Sequence, residues 1–165
     1  MTTVLTIEQI AQEYDAMIKR IASSYEADRH VAEELVQDVY LAIWRALPSF
    51  RAASSLRTFV ARIATNRAIT HVARAARSPR TFELSEDLPA PEDSLESHAI
   101  AVDREARLTA AVRSLPLAYR QSALLTLEGL APKEISEILG ISPNAVAVRL
   151  SRAKPLLRQL MGDRS

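Results

Sequence analysis

The residues best suited to chemistry in this sequence are arginines that recur along one helical face. Arg67, His71 and Arg74 lie at positions i, i+4 and i+7, and Thr70 flanks that row. Residues 39–82 contain eight arginines and no acidic residue, so no carboxylate one helical turn away can pair with them. Arginines without such partners favour a phosphate backbone, because neutralising phosphates releases condensed counterions. This face predicts nucleic-acid binding, and the alternative is an ordinary solvated surface.

A second pattern, near the C-terminus, is typical of DNA recognition. Residues 131–139 predict a short amphipathic helix, which Gly140 can end by adopting a left-handed conformation. Ser142 is a capping residue type, and Pro143 suits the first position of the helix that follows. That second helix turns its arginines away from its apolar side. The pattern predicts a helix-turn-helix, and the alternative is a purely structural helical hairpin.

The composition excludes several functional classes. The chain has no cysteine, so a disulfide, a thiolate nucleophile and a cysteine-based zinc site are impossible, and a cytoplasmic protein is the default. The N-terminus lacks a signal-peptide pattern, and no apolar run approaches the roughly 18 residues of a membrane span. His30, His71 and His98 share no metal-ligand spacing. We therefore predict no catalytic residue, no metal and no cofactor.

The elements that must position these residues are helices. Three glycines in 165 residues, 5% aromatic residues and 48% hydrophobic residues favour helix over strand. Residues 78–98 are acidic, contain three prolines and lack apolar periodicity. The sequence predicts an all-α protein with two small helical domains, residues 1–77 and 99–165, the second carrying the helix-turn-helix. An acidic, proline-containing linker, residues 78–98, joins them.

Helical periodicity divides the N-terminal unit into three helices. They are expected over residues 6–23, 28–47 and 54 or 55 to 77, and the first and third begin at a capping residue type. We expect Trp44 to fill a gap in the core or between subdomains. Pro155 lies inside the last predicted helix, where a proline removes one hydrogen bond, so we expect a kink or break near residues 152–154.

Three segments in this order resemble a known family. They are AEELVQDVYLAIWRAL, SLRTFVARIATNRAITHVAR and LEGLAPKEISEILGISPNAVAVRLSRAK. Over nearly its full length the chain is similar to the group IV, or extracytoplasmic-function, bacterial sigma factors. The segments match the parts of the family that bind core RNA polymerase, melt the promoter and recognise its upstream element.

The resemblance implies three sets of site residues and two DNA elements. The residues matching the family's grip on core polymerase are Glu34, Gln37 and Asp38. Those matching its contacts to the minus-ten element are Arg51, Ser54, Ser55, Arg57, Thr58, Phe59, Asn66, Arg67, Thr70, His71 and Arg74. Those matching its contacts to the minus-thirty-five element are Ser142, Asn144, Ala145, Val148, Arg149, Arg152 and Lys154.

The same resemblance implies a transcription initiation factor whose partners are core RNA polymerase, promoter DNA and an anti-sigma protein. Two other protein classes stay open: a sigma-mimicking adaptor and a helix-turn-helix repressor with an N-terminal dimerisation domain. The acids of residues 83–105 could also lie against the arginines of the free chain. We therefore expect some compaction by the linker.

Overall fold

The computed structural model describes residues 4–77 and 96–162, with the side chains of residues 96–99 left out. The described chain is helical and contains no strand, which confirms the all-α prediction. Its helices are α1 (Ile7–Tyr25), α2 (Arg29–Ala46), α3 (Leu56–Arg77), α4 (Glu96–Arg113), α5 (Leu117–Leu127), α6 (Pro132–Leu139) and α7 (Pro143–Leu160). None of these helices is long and apolar enough to cross a membrane.

The N-terminal helices begin where capping residues satisfy free backbone amides. Thr6 and Gln9 form a reciprocal capping box at the start of α1. Asp28 accepts hydrogen bonds from two amides of α2, and the Ser55 hydroxyl accepts one from the Thr58 amide at the start of α3. α2 ends in a short 3-10 turn at Leu47–Ser49, as the following proline requires.

The three N-terminal helices pack on one another around a continuous apolar core. α1 contacts both α2 and α3, and α2 contacts α3. The core side of α3 consists largely of small residues, including Ala61, Ala64 and Ala68, all fully buried. Small side chains let α1 and α2 approach α3 closely, so the larger residues of those helices, such as Ile18 and Ile43, fill the space.

The C-terminal unit contains the predicted helix-turn-helix. Gly140 ends α6 with φ +68°, the left-handed conformation expected for it. Ser142 caps α7 by accepting a hydrogen bond from the Ala145 amide at 3.1 Å. The expected break near residues 152–154 is wrong, because α7 runs without interruption from Pro143 to Leu160, and the alternative of a kink there stays a prediction. Pro155 is exposed, so its ring points away from the core packing.

The two units pack against each other. α1 contacts α4 and α3 contacts α6, and apolar residues of both units belong to one core cluster. The predicted linker lies largely outside the described residues, so its part in compaction stays a prediction. α4 begins at Glu96, inside the segment predicted as linker. Neither α4 nor α5 was predicted from the sequence pattern.

Candidate nucleic-acid interface

The basic face of α3 lies on the surface, and acids from other helices reach it. Asn66 and Arg74 are exposed, while Arg67, Thr70 and His71 are half-buried. The Arg67 guanidinium donates two hydrogen bonds of 2.8 Å to the Asp38 carboxylate in α2. His71 Nε2 and a Glu26 carboxylate oxygen lie 2.8 Å apart. The expectation of arginines without acidic partners is therefore wrong for Arg67, because the fold supplies an acid that the local sequence lacks.

Asp38 is held in its ionised form by this surrounding positive charge. The hydrogen bonds from Arg67 hold the pKa of the Asp38 carboxyl below its ordinary value. The charges of Arg74 and Arg45 lower the same pKa, whereas partial burial opposes the shift. Asp38 in turn raises the pKa of the Arg67 guanidinium. The Asp38 carboxylate is thus paired with Arg67 and lies within the influence of two further arginines.

The loop before α3 is anchored by an aromatic contact. The rings of Phe50 and Phe59 lie 4.6 Å apart between centroids and are tilted by 47°. Arg51 and Ser55 are exposed, and Ser54 is half-buried. The loop therefore has a fixed base and a polar, accessible outer side.

Two residues predicted to contact the promoter strand contact the C-terminal unit in this arrangement. Thr58 is only 1% exposed, and its hydroxyl lies 3.3 Å from a Glu134 carboxylate oxygen in α6. Arg57 Nη1 donates a hydrogen bond to the Glu128 carbonyl. While the two units are packed together, Thr58 is therefore covered, whereas Arg57 is exposed with its Nη1 engaged.

The exposed face of α2 combines polar and apolar residues. Glu34 and Gln37 are exposed and Asp38 is half-buried, so all three lie on the solvent side of the helix. Leu41 and Trp44 continue that side, and Trp44 is 59% exposed. The interpretation of Trp44 as a core residue is therefore wrong. Its place in the helical repeat could have shown this, because it lies seven residues after Gln37 and out of phase with buried Leu35, Val39 and Ile43.

The start of α7 exposes the predicted recognition residues. Asn144, Val148, Arg152 and Lys154 are exposed, whereas Ala145 and Arg149 are half-buried. Ser142 is exposed as well, although its hydroxyl is engaged in the helix cap. On the other side of the helix, Val146 and Ala153 are buried. A helix fixed on one side and basic on the other suits insertion into the major groove.

Contacts between the two units are rich in arginine, and sequence reasoning missed them. Arg20 in α1 pairs with Glu128, which follows α5, and Arg113 in α4 donates to the Ser23 carbonyl at 2.7 Å. The Arg120 guanidinium lies 5.5 Å from the centre of the Tyr25 ring. These partners lie about 90 to 108 residues apart in sequence, so no local pattern could reveal them.

Comparisons with known proteins place these surfaces in a family. Residues 10–78 match Sigma-70 region 2, and residues 105–157 match Sigma-70, region 4. The ECF RNA polymerase sigma factor ShbA of Streptomyces griseus is 33% identical over 138 residues, which cover 80% of this chain and 72% of ShbA. The chain belongs to the extracytoplasmic-function class of sigma factors. Sigma factor SigZ of Bacillus subtilis is 27% identical over 158 residues, covering 95% of this chain and 88% of SigZ.

Solved structures show the same fold. The sigma factor RpoE of Bartonella quintana, in complex with the anti-sigma factor NepR, has a TM-score of 0.71 at 22% identity, covering 95% of this chain and 98% of that one. CnrH, in complex with the cytosolic domain of CnrY, has a TM-score of 0.68 at 24% identity, covering 96% and 89%. The family consists of transcription initiation factors without catalytic activity of their own. This sigma factor directs core RNA polymerase to promoters.

Proposed function

We propose that residues 1–77 of this sigma factor bind core polymerase and the minus-ten element, and that residues 99–165 bind the minus-thirty-five element. The observation that carries this proposal is the arrangement of two faces on one unit. The exposed face of α2 and the basic face of α3 adjoin at the Asp38–Arg67 pair. A polymerase bound to the first face therefore lies beside a strand bound to the second. The sigma factor itself carries no catalytic residue.

The core-binding surface consists of Glu34, Gln37 and Asp38, together with the neighbouring Leu41 and Trp44. An exposed tryptophan beside a leucine offers a large apolar contact that a solvated monomer does not need. The carboxylates of Glu34 and Asp38 favour a basic surface on the partner and orient that partner surface. This combination is typical of an interface centre with a polar rim.

The minus-ten surface consists of the loop before α3 and the exposed side of α3. Arg51, Ser54 and Ser55 line the loop, and Asn66, Arg67 and Arg74 continue along the helix. Extruding a base costs a few kcal/mol, which phosphate contacts and a pocket for the base offset. Arg57 and Thr58 join this surface once the C-terminal unit moves away from α3.

The minus-thirty-five surface consists of the exposed side of α7. Arg149 and Arg152 contact bases or phosphates in the major groove, and Lys154 contacts the backbone. Ala145 and Val148 offer apolar contacts to thymine methyl groups. Because residues 145–148 are all apolar, duplex shape contributes to the choice of site.

Reconstitution with core RNA polymerase tests the proposal. The purified chain is mixed with core enzyme, and run-off transcription is measured on promoters selected from a random library. Promoter-specific transcripts that need both components are expected. Tight, specific duplex binding by the chain alone, without transcription, would instead identify a helix-turn-helix repressor. Binding to an anti-sigma protein without either activity would identify a sigma-mimicking adaptor.

An anti-sigma protein and a cytoplasmic place of action complete the proposal. Support for the anti-sigma partner is that RpoE and CnrH were both solved in complexes, RpoE with an anti-sigma factor and CnrH with the cytosolic domain of CnrY. The cytoplasm is where core polymerase and promoters meet. In the reconstituted assay, an anti-sigma protein would suppress transcription when added before core enzyme.

A further inference from the structure

Asp38 and Arg67 form a two-point pair between α2 and α3. Arg67 Nε donates to Asp38 Oδ2 and Nη2 donates to Oδ1, both at 2.8 Å. Two parallel hydrogen bonds fix the plane of a guanidinium as well as its position, whereas one bond would leave it free to rotate. The remaining terminal nitrogen of Arg67, Nη1, takes no part in the pair.

The pair separates two hollows on the surface of the N-terminal unit. Asp38 and Arg67 line both of them. One hollow, of about 310 Å³, continues along α2 to Arg45, and the other, of about 130 Å³, lies between Glu34 of α2 and Arg74 of α3. The side chains of Arg67 and Asp38 are 34% and 39% exposed. A ligand on the basic face of α3 can therefore reach the guanidinium without displacing the carboxylate.

The charges around Asp38 make its effect on DNA binding informative. Arg45 and Arg74 act on the same carboxylate as Arg67. If only net charge mattered, removing a carboxylate from three arginines would strengthen the binding of a polyanion. If the carboxylate instead orients Arg67, its removal would weaken binding, although the surface becomes more positive. The two explanations therefore predict opposite changes in the affinity for DNA when the Asp38 carboxylate is removed.

We propose that Asp38 is a positioning residue for the promoter strand, holding the Arg67 guanidinium so that its Nη1 side meets a strand phosphate. The inference rests on the proposed function of the α3 face. It gives Asp38 a second role beside its place on the core-binding surface with Glu34 and Gln37, because its carboxylate also serves Arg67 within the chain. The Asp38–Arg67 pair, where the polymerase-binding face adjoins the strand-binding face, is thus a fixed contact.

The first experiment measures strand binding by the full chain, in which Arg67 and Arg74 stay accessible. Fluorescence anisotropy with a labelled single-stranded oligonucleotide is followed over a range of salt concentrations. We expect Asp38→Ala to weaken binding about two- to fivefold, the range of one exposed ion pair. We also expect the log–log salt slope to become shallower by up to about 0.7, since one strand phosphate loses its contact.

Two variants provide matched controls. Glu33→Ala removes the same charge from an exposed position of α2, where the carboxylate lies 3.5 Å from Arg29, and it should not weaken strand binding. Asp38→Asn keeps the shape of the side chain and should also weaken strand binding, as Asp38→Ala does. Thermal unfolding of each variant verifies that it is folded at the assay temperature.

A double-mutant cycle decides whether Asp38 acts through Arg67. Arg67→Ala should weaken strand binding, and adding Asp38→Ala to it should not weaken binding further. Unchanged or tighter binding by Asp38→Ala, or full additivity of the two changes, would overturn the inference while leaving the strand surface in place. Normal binding by Arg67→Ala would overturn the assignment of Arg67 to that surface, and the inference with it.

Discussion

The guanidinium of Arg20 in α1 and the carboxylate of Glu128, just after α5, are joined by two hydrogen bonds of 2.6 and 2.7 Å. The Glu128 side chain is 5% exposed, whereas that of Arg20 is 44% exposed. The pair links the N-terminal unit to the C-terminal unit, next to the contact of Arg57 with the Glu128 carbonyl. An acid buried at this depth needs its partner, because an unpaired carboxylate out of water is costly.

Arg20→Ala should therefore loosen the packing of the two units more than the double variant Arg20→Ala/Glu128→Gln does. The single variant leaves a buried charge without a partner, at a cost of about 1–3 kcal/mol to the packed arrangement, and the second change removes that charge. Because the chain has no cysteine, Gln12→Cys and Gln159→Cys can carry a pair of dyes for energy transfer. Glu137 is an exposed acid of α6. The matched control Glu137→Gln should leave the distance between the two dyes unchanged. Equal distances in the single and double variants would contradict a stabilising role for this pair.

Glu34→Arg should weaken core binding without unfolding the chain. The side chain is exposed, so a charge reversal should change stability by no more than about 0.5 kcal/mol. It would nevertheless place a cation where the proposed surface meets a basic partner. Size-exclusion chromatography with core polymerase measures the loss. Asp38→Arg is a less specific test, because it would also disrupt the contact with Arg67.

Trp44→Ala should weaken core binding and leave the folded chain intact. A tryptophan 59% exposed in the free chain has little packing to lose, but at an interface such residues often cost 2 kcal/mol or more, about thirtyfold in affinity. Titration of labelled core polymerase measures this change. Normal affinity would show that the apolar part of the α2 face lies outside the interface.

Asn66→Ala and Arg74→Ala should each reduce open-complex formation while core association stays nearly intact. Both side chains are exposed on α3, so their loss removes strand contacts and not packing. Permanganate reactivity of the melted region measures the effect in reconstituted holoenzyme. Full reactivity in both variants would argue against a strand on this face.

Arg149→Ala and Arg152→Ala should lower affinity for the upstream element by about 1–3 kcal/mol where the arginine contacts a guanine. Lys154→Ala should weaken binding to all sequences alike and make the salt dependence shallower. Arg158→Ala provides the matched control, because this exposed arginine lies in the last turn of α7, far from its N-terminus. A loss in Arg158→Ala as large as in Arg152→Ala would mean that the N-terminal part of α7 does not recognise the element.

The helices of both motifs and most of their ends could be predicted from the amino-acid sequence. The residues that cap the helix ends act through neighbours within five residues, so their effect on where a helix begins or ends is visible in the local sequence. They are Thr6, Asp28, Gly140 and Ser142. Apolar periodicity identified most of the buried stripes, since it depends only on the helical repeat. The helix-turn-helix and its exposed arginines could be predicted for the same reason.

Which charged side chains pair with one another depends on the packing of the helices. Asp38 with Arg67, Glu26 with His71 and Arg20 with Glu128 join residues 29, 45 and 108 positions apart. Their distances depend on how the helices pack, and packing follows the shapes of many buried side chains at once. For the same reason, the sequence could not show that Thr58 is covered by α6. The local sequence fixes which side of each helix is polar, but the fold determines what that side contacts.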